Sequence, residues 1–141
     1  MKVLLYTDGA SRGNPGHSSG GILITDEAGK TLFEGGTYFG QGTNNEAEYK
    51  ALLAGLEKAR ALGAREVACH MDSELVMKQL SGLYKLKAAH LRELHDRARA
   101  GLDSFRAASL THLPREHPRM KTADKLANKA LDRQAMTRPK S

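Results

Sequence analysis

The stretch Val3-Leu4-Leu5-Tyr6-Thr7-Asp8, continued by the glycine-rich run Gly9-Ala10-Ser11-Arg12-Gly13-Asn14-Pro15-Gly16, decides the fold and marks a site. Its apolar residues predict a buried strand over residues 2–8. Its glycines predict a loop over residues 9–18. Asp8 ends the strand, where burial of a carboxylate is costly unless another group pairs with it. The stretch therefore indicates a functional acid at the end of the first strand.

Outward from this stretch, the hydrophobic pattern predicts the element order βββ-α-β-α-α-β-α. Further strands are expected at 19–26, 30–39, 65–71 and 107–113, and helices at 44–62, 73–80, 88–101 and 122–135. Short turns between the first three strands indicate an antiparallel meander. The later strand-helix-strand units indicate a partly parallel sheet with helices on its faces, so the fold class is α/β. We expect one domain over residues 1–136 and a disordered tail over residues 137–141.

Composition indicates the size of the protein and the cellular compartment in which it is expected. The 141 residues are enough for one domain with its own core. Cys69 is the single cysteine, which excludes an intrachain disulfide and indicates a buried thiol. A reducing, cytoplasmic location is expected. No run of apolar residues is long enough for a signal core or a membrane span, so no membrane partner is expected.

Charge is unevenly divided along the chain. The net charge is +6, but residues 1–83 carry 8 basic and 10 acidic residues, whereas residues 84–141 carry 14 basic and 6 acidic residues. A basic half of this kind favours a polyanionic partner, and nucleic acid is the commonest one. Charge alone does not establish such a partner.

Four acids lie in positions that are unusual for a charged side chain. They are Asp8, Glu48, Asp72 and Asp124. Asp8 and Asp72 each end a predicted strand, and adjacent parallel strands would make them neighbours. Glu48 lies on the apolar stripe of the first long helix, whereas Glu46 points away from it and suits solvent or the helix cap. Asp124 lies beside the apolar stripe of the last helix. Convergence of the four would require cations, and oxygen-only ligands favour Mg²⁺ or Mn²⁺.

Each acid taken alone also has a simpler interpretation. Asp72 and Asp124 suit helix caps, and Glu48 suits a half-buried salt bridge. The glycines of the first stretch suit turn geometry, and Asn44 and Asn45 suit caps of the first helix.

The motifs together resemble ribonuclease H of type 1, in a compact form. They are residues 6–16, Thr43-Asn44-Asn45-Glu46-Ala47-Glu48, Met71-Asp72-Ser73 and Ala123-Asp124-Lys125-Leu126-Ala127, within a match from about Lys2 to about Leu131. The resemblance implies a ribonuclease H-like sheet in the order 3-2-1-4-5. It also implies an endonuclease that cuts the RNA strand of RNA/DNA hybrids to leave 5′-phosphate and 3′-hydroxyl ends.

The resemblance assigns residue roles as well. Asp8, Glu48, Asp72 and Asp124 would be the catalytic carboxylates and would hold two Mg²⁺ ions, with Mn²⁺ as a substitute. Glu48 would also lie near the ribose 2′-hydroxyl, the group that distinguishes RNA from DNA. The residues expected to contact nucleic acid are Gly9, Asn14, Thr43, Asn44, Asn45 and Ser73.

Two departures from the family pattern bear on these roles. Many members carry a mobile histidine before the last helix, and an ungapped count back from Asp124 places Pro114 there. His117 in the same loop is a candidate catalytic residue, since its pKa suits proton movement, and a solvated loop histidine is the alternative. His112 suits a structural role at the strand end.

The second departure is the absence of the family's tryptophan-containing basic protrusion. Two groups of cations could replace it as phosphate contacts, or could simply be solvated. The first group is Lys85, Lys87, Arg92 and Arg99, and the second is Arg115, Arg119, Lys121, Lys125 and Lys129.

Three alternatives to hybrid cleavage stay open at the level of sequence. The same chemistry would act on double-stranded RNA, since some compact members cut it. A duplex-binding module without catalysis would bind the same partner. A metal-free acidic cluster would serve folding only. We expect a monomer in each case.

Overall fold

The structure is a computed structural model that describes residues 1–83 and 85–137. A mixed five-stranded sheet has the strand order β3-β2-β1-β4-β5. The strands are β1 (Lys2–Gly13), β2 (Gly16–Thr25), β3 (Thr31–Gly42), β4 (Glu66–Met71) and β5 (Ala107–His112). The helices are α1 (Asn44–Ala61), α2 (Glu74–Leu80), α3 (Arg92–Asp103) and α4 (Pro118–Thr137), and a 3₁₀ turn, Ala89–Leu91, precedes α3. The predicted α/β class and strand order are confirmed.

Strand direction determines where the acids meet. β1 pairs antiparallel with β2 and β2 with β3, which confirms the meander. β1 runs parallel to β4, and β4 runs parallel to β5. The parallel pairing of β1 with β4 extends as far as Tyr6 and His70. Asp8 and Asp72 each lie two residues further along, so they meet at the same end of this strand pair, as predicted.

Helices cover both faces of the sheet because side chains alternate along β1. Leu5 and Thr7 lie against Gly55 of α1. Tyr6 points the other way, into a cluster with Leu23 and with Met120 of α4. The larger core lies on the α1 side, where each fully buried leucine contributes about 1.5–3 kcal/mol.

The predicted loop over residues 9–18 is wrong. β1 continues to Gly13 and returns at Gly16, and the register pairs Asp8 with Gly21 and Ser11 with Ser18. Gly9 permits close packing of β1 on α1, because a Cβ there would lie 2.5 Å from the backbone nitrogen of Glu48. Gly21 of β2 does the same on the α4 side, where a Cβ would lie 1.8 Å from the carbonyl oxygen of Ala123. Only Gly13 of the β1 glycines has a positive φ, of 98°, at the turn itself.

The last helix also differs from the prediction. α4 begins at Pro118, four residues before the expected start at 122. Proline fits the first helical position because its missing N–H would have no partner there. Thr137 is the last residue of α4 and not part of a tail, and the rest of the predicted tail, 138–141, lies outside the described residues.

Two other expectations have clear outcomes. Cys69 is buried, and burial raises the pKa of its thiol to about 12. Within residues 1–83 and 85–137, no helix combines the length and the apolar character that a bilayer crossing requires.

Candidate active site

Three carboxylates converge at the edge of the sheet. One oxygen each from Asp8, Glu48 and Asp72 lies within 4.8 Å of the others. Asp8 is in β1, Asp72 follows β4 directly, and Glu48 is the fifth residue of α1. The sequence anchors α1 at this place through a capping box, in which Thr43 accepts from the Glu46 amide at 3.2 Å and Glu46 accepts from the Thr43 amide at 3.1 Å. Glu46 therefore belongs to the cap, as expected.

Glu48 is held by one oxygen only. Its side chain is 8% exposed, and Oε1 accepts from the backbone N–H of Gly9 at 2.9 Å. Oε2 is buried and has no hydrogen-bond partner within the described part of the chain. No basic group pairs with Glu48 there, so the salt-bridge interpretation is wrong. A buried carboxylate oxygen without a donor requires a cation or a proton.

The cap interpretations of Asp72 and Asp124 are also wrong. Ser73, rather than Asp72, caps α2 by accepting from the Val76 amide at 3.3 Å. Asp124 is the seventh residue of α4, well past the helix start. Its side chain lies close enough to Asp8 to raise the pKa of that carboxyl, and Asn128 donates to its Oδ1 at 3.3 Å. Both acids are therefore turned toward Asp8 rather than toward a helix end.

The electrostatics of the cluster favour protonation when no cation is present. Burial is the main cause that raises the pKa of Asp8 to about 9, and the charges of Glu48 and Asp72 add to it. Burial likewise raises the pKa of Glu48 to about 8, although the Gly9 N–H opposes the shift. Shared negative charge in a buried site is thus relieved by protons or by metal.

The donor set fits a hard divalent cation. All the converging ligands are carboxylate oxygens, there is no sulfur or imidazole among the three, and Glu48 Oε2 is unsatisfied. Oxygen ligands of this kind suit Mg²⁺ or Mn²⁺ better than Zn²⁺. Asp124 lies outside the closest group of three but adds a fourth carboxylate beside Asp8.

The acids face a cleft of about 410 Å³. It is lined by Asp8, Gly9, Ala10, Ser11, Asn44, Glu48, Asp72, Arg115, Asp124 and Asn128. Sequence reasoning missed Asn128, although its position four residues after Asp124 places both on one helix face. Arg115 was predicted only as a general phosphate contact, because a hydrophobic pattern does not predict the direction of a side chain in a loop. Among the residues that the structure describes, Arg115 is the one basic residue that lines the cleft.

The six residues predicted to contact nucleic acid have different places in the structure. Gly9 and Asn44 line the cleft. Asn14 lies beside it and accepts from the Asn44 amide at 3.1 Å, which joins the β1–β2 turn to the start of α1. Thr43 and Ser73 use their hydroxyls as helix caps. Asn45 is half-buried in the first turn of α1, so Thr43, and neither asparagine, is the cap.

His117 lies outside the cleft lining. Its Nδ1 accepts from the Arg119 amide at 3.1 Å at the start of α4. Its ring stacks on Tyr6 with centroids 6.4 Å apart, and Tyr6 stacks in turn on His70 at 4.5 Å. The structure therefore gives His117 a capping contact and does not bring its ring to the four acids.

The comparisons with known proteins agree with this architecture. The family described as reverse transcriptase-like matches residues 6–130. The bifunctional protein Rv2228c of Mycobacterium tuberculosis is 43% identical over 138 residues, which cover 97% of this chain. The chain spans only 37% of that relative's length.

Two solved structures match nearly from end to end. RNase H1 of the halophilic archaeon Halobacterium salinarum is 43% identical with a TM-score of 0.90, over 94% of this chain and 99% of the other. LC11-RNase H1, solved in complex with an RNA/DNA hybrid, is 39% identical with a TM-score of 0.86, over 94% of this chain and 99% of the other. The chain belongs to the ribonuclease H family, in its type 1 branch. The resemblance seen in the sequence is confirmed.

Proposed function

We propose that this protein is a metal-dependent endonuclease that hydrolyses the RNA strand of RNA/DNA hybrids and leaves 5′-phosphate and 3′-hydroxyl ends. It would act as a monomer in the cytoplasm on R-loops and replication primers. The observation that carries the proposal is the convergence of Asp8, Glu48 and Asp72, with the buried Glu48 Oε2 left without a donor.

The residues present define what the site can do. Asp8, Glu48, Asp72 and Asp124 would hold two Mg²⁺ ions, with Mn²⁺ as a substitute. Bound divalent ions supply Lewis-acid chemistry, which activates a water and stabilises the leaving oxygen in phosphoryl transfer. Asn128 orients Asp124 through two contacts, 3.0 Å to its carbonyl and 3.3 Å to its carboxylate. The Gly9 amide fixes Glu48 so that its second oxygen stays turned into the site.

The shape of the cleft and the relatives support the proposed substrate preference. Small residues, Gly9, Ala10 and Ser11, form one wall and leave room for a sugar-phosphate backbone to approach. Glu48 is the acid proposed to lie near the ribose 2′-hydroxyl, because RNA recognition needs a polar partner for that group. The hybrid bound by LC11-RNase H1, a relative of 39% identity, supports the choice of an RNA/DNA hybrid.

Arg115 supplies the positive charge in the cleft. A guanidinium matches the geometry of a phosphate and keeps its charge at all working pH values. We assign it a contact with the scissile phosphate or the cleaved end. This role stands beside, and does not depend on, a proton-transfer role for His117.

The test is cleavage of one end-labelled RNA in three forms: paired to DNA, paired to RNA and single-stranded. Each form is incubated with Mg²⁺, Mn²⁺ or chelator, and Asp8→Asn serves as the matched inactive variant. Metal-dependent cuts confined to the hybrid, absent from Asp8→Asn, are expected. A 5′-phosphate on the downstream fragment tests the proposed products.

The other outcomes separate the alternatives. Cuts in the RNA duplex as well would widen the substrate class to duplexes that contain RNA. Hybrid binding without cleavage by the folded wild-type protein would make it a binding module and refute the proposed activity. Equal activity of Asp8→Asn and wild type would remove the acid cluster from the chemistry.

A further inference from the structure

The basic residues near the site divide into three groups with different surroundings. Arg115 lines the acidic cleft. Arg119 is turned away and donates to the Gly29 carbonyl at 3.2 Å, in the β2–β3 turn. Arg99 is likewise occupied, by the Leu80 carbonyl and by Asp103, both at 3.0 Å. These cations therefore do not form one common patch.

A third group follows a single stripe of α4. Lys121, Lys125, Lys129 and Arg133 recur every four residues, and all four side chains are exposed. Residues four apart are neighbours on a helix, so the stripe covers about 18 Å along the helix axis. Within residues 1–83 and 85–137, none of the four forms an ion pair. Like charges at this spacing repel each other, so the arrangement is unfavourable without an anionic partner.

The neighbouring acid does not neutralise the stripe. The helix α4 contains two acids. Asp132 is exposed, whereas Asp124 is half-buried. Its Oδ1 accepts from Arg12 of β1 at 2.6 Å. Arg12 also donates to the Asn128 carbonyl at 3.4 Å, which fixes the β1–β2 hairpin against α4. The ion pair with Arg12 thus compensates the negative charge of Asp132.

The stripe is continuous with the cleft. Asp124 and Asn128 line the cleft, and each lies three residues after a stripe residue, Lys121 and Lys125, so these pairs are neighbours on the surface of α4. At its far end, Lys129 and Arg133 border a groove beside the edge strand β3, and Glu34 and Asp132 also line that groove. A duplex seated in the cleft would therefore carry flanking phosphates over this helix.

We propose that Lys121, Lys125, Lys129 and Arg133 form a phosphate-binding track that holds the substrate duplex beyond the cleavage site. This inference rests on the proposed function for the identity of the duplex. Flexible ammonium groups without fixed partners suit phosphate contacts that position the backbone without reading sequence. Such contacts release counterions, so the affinity they contribute falls with salt.

The experiment compares two triple variants of equal charge change. The stripe variant is Lys125→Gln/Lys129→Gln/Arg133→Gln. The control variant is Lys30→Gln/Arg65→Gln/Arg106→Gln, because these three cations are also exposed and lie at the opposite end of the sheet from the cleft. A charge-retaining variant, Lys125→Arg/Lys129→Arg/Arg133→Lys, tests whether charge alone is needed. Thermal melts check that all three are folded.

The measurement is the affinity for an RNA/DNA hybrid of about 20 base pairs over a series of salt concentrations, with chelator present to prevent cleavage. The slope of log affinity against log salt falls by about one unit for each phosphate that the protein no longer neutralises. We expect a fall of about two to three units for the stripe variant, less than one unit for the control variant, and none for the charge-retaining variant.

Each result has a defined meaning. Equal slopes for the stripe and control variants would overturn the track while leaving the proposed function untouched, provided that the wild type cuts the hybrid. A reduced slope that the charge-retaining variant fails to restore would also overturn it. If the wild type binds but never cuts the hybrid in Mg²⁺, the proposed function fails, and the slope comparison still decides on the track.

Discussion

The backbone N–H of Gly9 donates to Oε1 of Glu48 at 2.9 Å, and this contact joins the first strand to the first helix at the acid cluster. A Cβ on Gly9 would lie 2.5 Å from both the carbonyl carbon of Ala47 and the nitrogen of Glu48. The strand and the helix backbone can be this close only because position 9 has no side chain. The position of Glu48 therefore depends on a residue of another element.

Gly9→Ala should push α1 away from β1 and displace Glu48. Extra volume in a closely packed place costs typically 1–3 kcal/mol of unfolding free energy, which denaturant titration can measure. We also expect metal-dependent cleavage to fall by about tenfold or more, since misplacement of a reacting group by about 1 Å can cost a hundredfold.

The matched control is Gly35→Ala on the edge strand β3. The three atoms nearest to its Cβ would all belong to the Phe33 side chain, the closest at 3.0 Å, and a side chain can shift more readily than a helix backbone. The control should cleave at the wild-type rate. If Gly9→Ala cleaves equally well, the close contact does not position Glu48.

Much of the site could be predicted because each acid lies on an element with a clear local signal. Asp8 ends the apolar run of β1, although the strand itself continues to Gly13, and Asp72 directly follows β4. Glu48 falls on the apolar stripe of a helix. These signals depend on spacing along the chain, and adjacent parallel strands then bring the strand ends together.

The parts that could not be predicted depend on contacts between distant elements. Gly9 was predicted to lie in a loop and Gly21 in a strand, and neither prediction included the direct packing of α1 and α4 on the sheet that these glycines permit. The position of Arg115 in the cleft lining likewise depends on tertiary structure. The start of α4 is a different case, since Pro118 is a local signal for a helix start, and the prediction relied on the hydrophobic pattern alone.

Asp8→Asn should stabilise the metal-free protein at neutral pH while abolishing cleavage. The folded protein holds the pKa of Asp8 at about 9 and that of Glu48 at about 8, whereas carboxyls in an unfolded chain ionise near pH 4. Between these values the unfolded state releases protons that the folded state retains. The stability of the metal-free wild type should therefore fall as pH rises from about 4 to about 9.

The measurement is the free energy of unfolding in chelator across this pH range. Asp8→Asn should be more stable by roughly 1–3 kcal/mol near pH 8, the usual penalty of an uncompensated buried polar group. The difference should vanish below about pH 4, where both states of the wild type are protonated. A constant difference at every pH would mean that ionisation of Asp8 is not its cause.

Mg²⁺ should raise the melting temperature of the wild type, and more so at higher pH. A ligand that binds only the folded state stabilises it by about 2.7 kcal/mol at a concentration 100 times its dissociation constant. Ionised carboxylates bind the cation, so proton release and metal binding are coupled. Asp8→Asn provides the control and should gain little from Mg²⁺. Equal gains in the two proteins would place the metal elsewhere.

Asn128→Ala should weaken cleavage without unfolding the protein. Its amide donates to the carboxylate of Asp124 at 3.3 Å and to the carbonyl of the same residue at 3.0 Å. Removal of a positioning group from a metal-binding residue typically costs 10–100-fold in metal affinity or activity. The Mg²⁺ concentration for half-maximal cleavage should therefore rise, whereas the thermal melt in chelator should change little. An unchanged Mg²⁺ requirement would show that Asp124 needs no support from Asn128.

Arg115→Ala and His117→Ala should separate the two roles offered by the loop before α4. Arg115 lines the cleft, so its removal should slow cleavage by about ten- to a hundredfold if its guanidinium contacts a charged phosphate. His117 caps α4 through the Arg119 amide, and we expect its removal to slow multiple turnover several-fold. Single-turnover and multiple-turnover rates, measured beside melts, distinguish chemistry from product release and from reduced stability. An unchanged multiple-turnover rate in His117→Ala would remove that residue from the mechanism. Wild-type rates in Arg115→Ala would mean that Arg115 does not contact the phosphate during cleavage.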